Sequence, residues 1–182
     1  MASIFSHAVA AVALGTAFRP EKAPFKFWML AALCAVIPDL DVISFYFAMG
    51  HDPLLGHRGF THSFAFAALL SGIIVIGALR DEYWDGLRAP LWLFFFLATA
   101  SHGVLDAMTN GGRGVAFFAP FDNTRYFFPF RPIEVSPLGI RPFFSERGVA
   151  VLASELTWVW LPSLLFVIPT WAGRWLLTLL KH

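Results

Sequence analysis

Seven histidine and aspartate residues stand inside, or at the ends of, otherwise apolar runs: His7, Asp39, Asp41, His57, His62, His102 and Asp106. An ionisable side chain in such a run costs roughly 2.5–3.5 kcal/mol on insertion scales, so each needs a reason to be there. His102 and Asp106 are four residues apart, which puts an imidazole nitrogen and a carboxylate oxygen on one helix face, one turn above the other. Asp39 and Asp41 flank Leu40 just after Pro38, whose missing N–H frees the carbonyl of Cys34 and predicts a local break in the helix. His57 and His62 are five apart and do not align on one regular helix; the spacing predicts His57 in a loop and His62 on the first turn that follows. Mixed nitrogen and oxygen donors suit a divalent metal, zinc first, with manganese or iron as alternatives, as one ion or a pair. A metal with an open position activates water, which is hydrolase chemistry, and a metal pair suits phosphoester cleavage. Asp39 or Asp41 is then a candidate general base, which requires it within about 3 Å of the proton it takes. Arg58, with Arg125 or Arg131, is a candidate clamp for an anionic substrate group. Glu155 is a possible extra ligand, with helix capping an equal alternative. Without a metal, His7 is a helix-end polar residue, His102 and Asp106 form a hydrogen-bonded pair, and Asp39 and Asp41 cap a broken helix.

The elements that must position these residues are apolar. The chain has 182 residues, 58% hydrophobic and only 14% charged, against roughly 25% charged in soluble domains. Its mean hydropathy is +0.66. A single soluble core does not absorb this much apolar side chain, so the expected solvent is the bilayer. The net charge of +1 argues against nucleic acid as a partner. Cys34, the single cysteine, excludes an internal disulfide and a Cys-rich zinc site.

Five stretches approach the roughly 20 apolar residues that span a membrane: Ile4–Phe18, Phe25–Met49, Phe60–Leu79, Pro90–Met108 and Val149–Ile168. Trp171–Leu180 either continues the last past Pro169 or lies in the interface. The first resembles a signal peptide but has no Lys or Arg before Arg19, so it reads as a retained helix. The expectation is a single all-α domain over residues 1–182, a polytopic transmembrane bundle of about five helices. Residues 110–148 are a long irregular loop before the last helix. Five prolines break that loop, and Arg113, Arg125, Arg131, Arg141 and Arg147 interleave with phenylalanines. This composition suits a segment resting on lipid headgroups, or a lid over a site.

Alternating the direction of five spans places all seven residues, and Glu155, at one membrane depth. That agreement holds whichever side is outside. Orientation rests on short basic loops: Arg19, Lys22, Lys26, Arg80, Arg88, Arg174 and Lys181 share one side, opposite Arg58 and the loop arginines. Weighting short loops leans the first side to the cytoplasm and the site to the opposite face. His51, Asp52 and His182 read as surface residues.

The blocks Ser6-His7, Pro38-Asp39-Leu40-Asp41, His57-Arg58-Gly59-Phe60-Thr61-His62-Ser63 and Ser101-His102-Gly103-Val104-Leu105-Asp106 resemble the YdjM-like family of membrane-bound metal-dependent hydrolases. The resemblance covers about residues 1–112. It implies a multi-helix inner-membrane domain, a metal centre and a hydrolase assignment. The order of His7, Asp39 or Asp41, His57 or His62, His102 and Asp106 is similar, more loosely, to zinc-dependent phospholipase C. The later histidine ligands of that enzyme have no counterpart, since only His182 follows Asp106; this implies a mono- or dinuclear site.

Together these features lead to an expected metal-dependent hydrolase cleaving a membrane lipid, lipid-linked molecule or other membrane-associated ester, a phosphoester above all. The alternative is an ion or small-solute transporter. Against it, the other half of the bundle is apolar, with only Ser71 between Leu69 and Gly77 and no polar residue between Leu91 and Ala98. A third alternative is a membrane protein with a structural metal. The sequence does not specify an oligomeric state.

Overall fold

A computed structural model describes residues 1–18 and 23–179. Arg19, Lys22, Leu180, Lys181 and His182, named above, lie outside the described residues. The described chain is all-helical: α1 (Ile4–Phe18), α2 (Phe25–Val36), α3 (Phe64–Ile73), α4 (Arg88–Ala107), α5 (Ile140–Phe143), α6 (Glu146–Glu155) and α7 (Leu161–Leu179). Three continuous helices are long and apolar enough to cross a membrane: Phe25–Phe47, Arg88–Ala107 and Glu146–Leu176. Ile4–Phe18 and Phe64–Ala78 are shorter apolar helices.

Proline acts differently at Pro38 and at Pro169. At Pro38 the helix tightens rather than stops: α2 passes into eleven residues of 3₁₀ helix, Ile37–Phe47. Such runs rarely exceed three or four residues, and a long one marks a sequence under constraint. The constraint here is the pair Asp39 and Asp41. At three residues per turn they stand about 120° apart around the axis, against about 160° in an α-helix. Both therefore reach the same neighbouring histidine from two sides. At Pro169 no break occurs, and α7 runs through it to Leu179. A π-helical turn, Leu156–Trp160, joins α6 to α7, so Trp171–Leu179 continues the last helix.

The bundle has two unlike halves. One is packed from α1, α2, α3 and α4 around Phe27, Ala31, Cys34, Ile74, Val75, Leu91, Phe94, Phe95 and Ala98. Two of its buried hydroxyls are satisfied within their own helices: Ser71 donates to Ala67 O at 2.6 Å and Thr16 to Ala13 O at 2.7 Å. The other half carries the ionisable residues. The segment between α4 and α5 closes over it and is stitched down by backbone hydrogen bonds from Ala116 to Arg58, Phe128 to Ala107 and Ser136 to Met1. Val115, Ala116, Ala119 and Ile133 of this segment are completely buried. Phe121 and Phe144, 90% and 81% exposed, project outward.

Candidate metal centre

Helix α4 supplies His102 and Asp106, both fully buried on one face as their spacing predicts. His102 donates its Nδ1–H to the carbonyl of Ala35 at 2.7 Å, since a carbonyl only accepts. That bond fixes the tautomer and leaves Nε2 with a free lone pair. His62 sits on a 3₁₀ turn, Phe60–His62, immediately before α3. Ser63 caps α3 by accepting from the amide of Phe66 at 3.1 Å. The His62 Nδ1 lies 3.1 Å from Asp41 Oδ2 and 3.0 Å from Thr61 Oγ1, so this ring too is held by Nδ1 and presents Nε2.

The two Nε2 atoms meet at 3.0 Å. With both Nδ1 protons committed elsewhere, two lone pairs face each other, an arrangement that a shared proton or a bound cation stabilises. Asp39 Oδ1 stands 3.3 Å from His102 Nε2 and 3.9 Å from His62 Nε2. Asp106 Oδ2 is 3.6 Å from His62 Nε2. Ligands bound at 2.0–2.1 Å around a tetrahedral ion are separated by about 3.3 Å, so these spacings fit one divalent ion. Both oxygens of Asp39 are buried without a hydrogen-bond partner, a rarity among buried carboxylates that leaves both free to bind an ion. Three buried carboxylates, Asp39, Asp41 and Asp106, outnumber the buried guanidinium of Arg58 and the buried amino terminus of Met1, so with the imidazoles neutral negative charge is in excess. A site in a low-dielectric interior requires compensation of that charge.

Asp41, His57 and His62 form a second close group, but its carboxylate is already saturated. Asp41 Oδ1 accepts from His57 Nδ1 at 2.6 Å, and Oδ2 accepts from the Arg58 amide at 3.0 Å and the Thr61 hydroxyl at 2.7 Å. Its geometry is that of a carboxylate orienting a ligand histidine. His7 lies flat on His102, ring centroids 3.7 Å apart, with Nε2 3.5 Å from Asp106 Oδ1.

The arginines are placed inward. Arg58 adopts a left-handed backbone, φ 64°, and its side chain is buried. Its Nε donates to Asp106 Oδ2 at 2.9 Å, Nη1 to the carbonyls of Gly111 at 3.2 Å and Arg113 at 2.6 Å, and Nη2 to Thr109 Oγ1 at 2.8 Å. Gly59 follows because a Cβ there would stand 2.3 Å from Leu54 O. Arg125 donates to the carbonyls of His57, Gly114, Asp52 and Pro53, clamping the loop that carries His57; burial lowers its pKa. In the same loop the amides of Leu55 and Leu54 hold the Asp52 carboxyl below its usual range. Arg131 stacks over Phe127 at 4.8 Å. Glu155 accepts from the Ser3 amide, the Ser3 hydroxyl at 2.6 Å and the Ser6 hydroxyl at 2.8 Å, so it tethers the start of α1 to α6, apart from the ligand group. The Ala35 carbonyl, which orients His102, carries no signal in the sequence, and Thr61, part of the His57–Ser63 block, donates its hydroxyl to Asp41 rather than capping a helix.

The chain matches the model of the YdjM inner membrane protein family over residues 1–178. It belongs to that family. It is also similar to the inner membrane protein YbcI of Escherichia coli (strain K12), with 34% identity over 177 residues, 96% of this chain and 99% of the relative. No solved structure matches it. The match extends well past the sequence blocks around the ligands, through the irregular segment and into α7. The chain is accordingly an inner-membrane protein with a buried His/Asp group able to hold a metal ion.

Proposed function

We propose that this YdjM-family protein is a metal-dependent hydrolase of membrane lipids or other membrane-associated esters, phosphoesters foremost, built on five membrane-crossing helices. The observation that carries the reading is the meeting of two tautomer-fixed Nε2 atoms at 3.0 Å beside the unpartnered carboxylate of Asp39. His62, His102, Asp39 and Asp106 would hold the ion, zinc foremost. When bound, a divalent cation supplies Lewis-acid polarisation of an ester and activation of water. The chain's own groups divide the remaining work. Asp41 and the Ala35 carbonyl orient the two imidazoles. Arg58 holds Asp106 and shields its charge. Asp39 is the aspartate with unpartnered oxygens, which makes it, rather than Asp41, the residue able to face both ion and water.

Access supports the same reading. A cavity of about 160 Å³ lies outside the ligand group, lined by Phe45, His51, His57, Arg58, Arg113 and Ser136 among others. It opens at the end of the bundle that holds the ionisable residues. A second, apolar groove of about 640 Å³ runs between α1 and the α6–α7 helix past Val12, Trp160 and Leu164; its chemistry suits an acyl chain. Among the described residues, the densely packed apolar half beneath the site offers no continuous polar route, which weighs against transport.

The test is elemental analysis of protein purified in mild detergent, alongside turnover of lipid and phosphoester substrates by the same preparation. The expected result is stoichiometric divalent metal and hydrolysis, both abolished in His102→Ala. Protein without stoichiometric metal refutes the proposal, and metal without turnover on any ester favours a structural role.

A further inference from the structure

The cavity outside the ligand group has a basic lining that metal binding leaves unused. His51, His57, Arg58 and Arg113 line it, and among the described residues no aspartate or glutamate does. A cleft lined by one sign of charge concentrates ligands of the other. Phe45 lies against the rings of both His51 and His57, at 5.9 Å between centroids in each case, and Val135 and Leu138 add an apolar side. Positive charge gathers here: burial, then the charge of Arg113 and that of Arg58, lower the pKa of Arg125.

These three arginines differ in what they have left to give. Arg58 and Arg125 spend both terminal nitrogens on the protein. A guanidinium carries five N–H donors, and the protein takes one from Arg113, Nη1 to the carbonyl of His51 at 2.8 Å. The backbone of Arg113 is nonetheless fixed, since its own carbonyl accepts from Arg58 Nη1 at 2.6 Å. Gly112 before it adopts φ 80° and lies so close to the Arg58 guanidinium that a Cβ there would stand 3.1 Å from Nη1. Arg113 is thus a positioned, solvent-reachable guanidinium with its fork unspent.

We infer that this cavity is an anion-binding subsite in which Arg113 holds a phosphate-sized group through paired hydrogen bonds. Its volume of about 160 Å³ admits such a group but not a whole lipid. The chemistry recognised is therefore the anion, carried by a lipid headgroup or free in solution. The guanidinium fork matches the oxygens of phosphate bidentately, which an ammonium does not. The subsite goes beyond the metal-hydrolase reading, because it requires no ion and selects by charge rather than by the bond cleaved.

The experiment is native mass spectrometry of the full chain, as purified in neutral detergent, titrated with phosphatidic acid or with phosphatidylcholine of the same chains. Wild type is expected to bind phosphatidic acid in preference. Arg113→Gln should lose roughly 10–100-fold in that affinity, the worth of one or two charge-assisted hydrogen bonds. Arg113→Lys should fall between, and Arg88→Gln, which removes an exposed charge at the far end of α4, should match wild type. Equal wild-type affinity for the two lipids overturns the subsite, even if the variants fail to fold. Arg113→Gln within twofold of wild type, or an equal loss in Arg88→Gln, overturns the role of Arg113. Inorganic phosphate added as competitor separates the sources: displacement upholds the subsite with a free anion sufficient, and retention upholds it for a headgroup carried on apolar chains. Metal content, measured on the same samples, should be unchanged in Arg113→Gln; its loss would overturn the subsite by making Arg113 part of the ligand group. Absence of metal from every sample refutes the hydrolase reading and leaves the anion preference standing.

Discussion

Substitution of Asp41 by Asn separates orientation from ligation. Asp41 accepts from His57, Arg58 and Thr61 and stands 3.1 Å from His62 Nδ1. Asn has nearly the same shape. Its carbonyl oxygen can take the Oδ2 position, facing the Arg58 amide, Thr61 and His62, while its NH₂ faces His57, a ring at the cavity edge that can exchange tautomer. The geometry should survive, while the negative charge that raises the basicity of His62 is lost. Removing such an outer carboxylate costs roughly 10–100-fold in metal affinity, or about 1.4–2.7 kcal/mol. Asp41→Ala should reach or exceed the upper end, because it also leaves the buried Arg58 amide unpaired and frees the ring of His62. Competitive zinc titration against a chromophoric chelator in detergent measures both, with helicity as the control for folding. Affinities within twofold of wild type in both folded variants would refute the orienting role. Complete loss in Asp41→Asn, matched in His57→Ala, would instead make those two residues direct ligands.

Three further outcomes follow from individual contacts. A Cβ at Gly103 would stand 2.9 Å from His62 O and 3.2 Å from the Phe117 ring; Gly103→Ala should cost about 1–3 kcal/mol in overpacking and weaken zinc binding by displacing His62. Thermal unfolding with and without zinc reads both effects, and an unchanged midpoint counts against the close approach. Arg58→Met leaves Asp106 as a buried charge without its guanidinium, so a loss of about 3–5 kcal/mol is expected in detergent denaturation; a change below 1 kcal/mol would mean that Asp106 is not charged in the folded protein. Phe121→Trp should leave stability within about 0.5 kcal/mol, and its fluorescence in proteoliposomes should be quenched by brominated lipids if the tip of the irregular segment enters the interface.

The apolar stretches and the clustered histidines and aspartates were legible because each signal is local. A run of apolar residues is a helix in lipid whatever its neighbours, and His102 with Asp106 share a face by spacing alone. The inward turn of Arg58 was not legible. It depends on a left-handed backbone and on carbonyls at Gly111 and Arg113 that arrive from more than fifty residues away; beside a metal motif, an arginine reads as a substrate clamp. Glu155 was ambiguous for the same reason, since its partners Ser3 and Ser6 come from the opposite end of the chain. Pro169 read as a possible break because the rule against helical proline comes from water-exposed helices, whereas membrane helices retain proline where local adjustment satisfies the freed carbonyl.

The placement of charge across the fold bears on what the protein can do. Asp41, Asp106 and Glu155 are each answered by groups from other segments: Asp106 by Arg58 and the Ala2 amide, Asp41 by the loop preceding α3, Glu155 by Ser3 and Ser6. Only Asp39 has no protein partner, and it sits where the two free Nε2 atoms converge. A purely structural ion would need no cavity beside it, and a conducting site would need a polar path onward through the bundle. Here the ligand group has a cavity next to His57 on one side and the aromatic packing of Phe27, Phe94 and Phe95 beneath α4's polar turns. A centre approached from one end and sealed at the other suits chemistry on a membrane-associated molecule that enters and leaves by the same face.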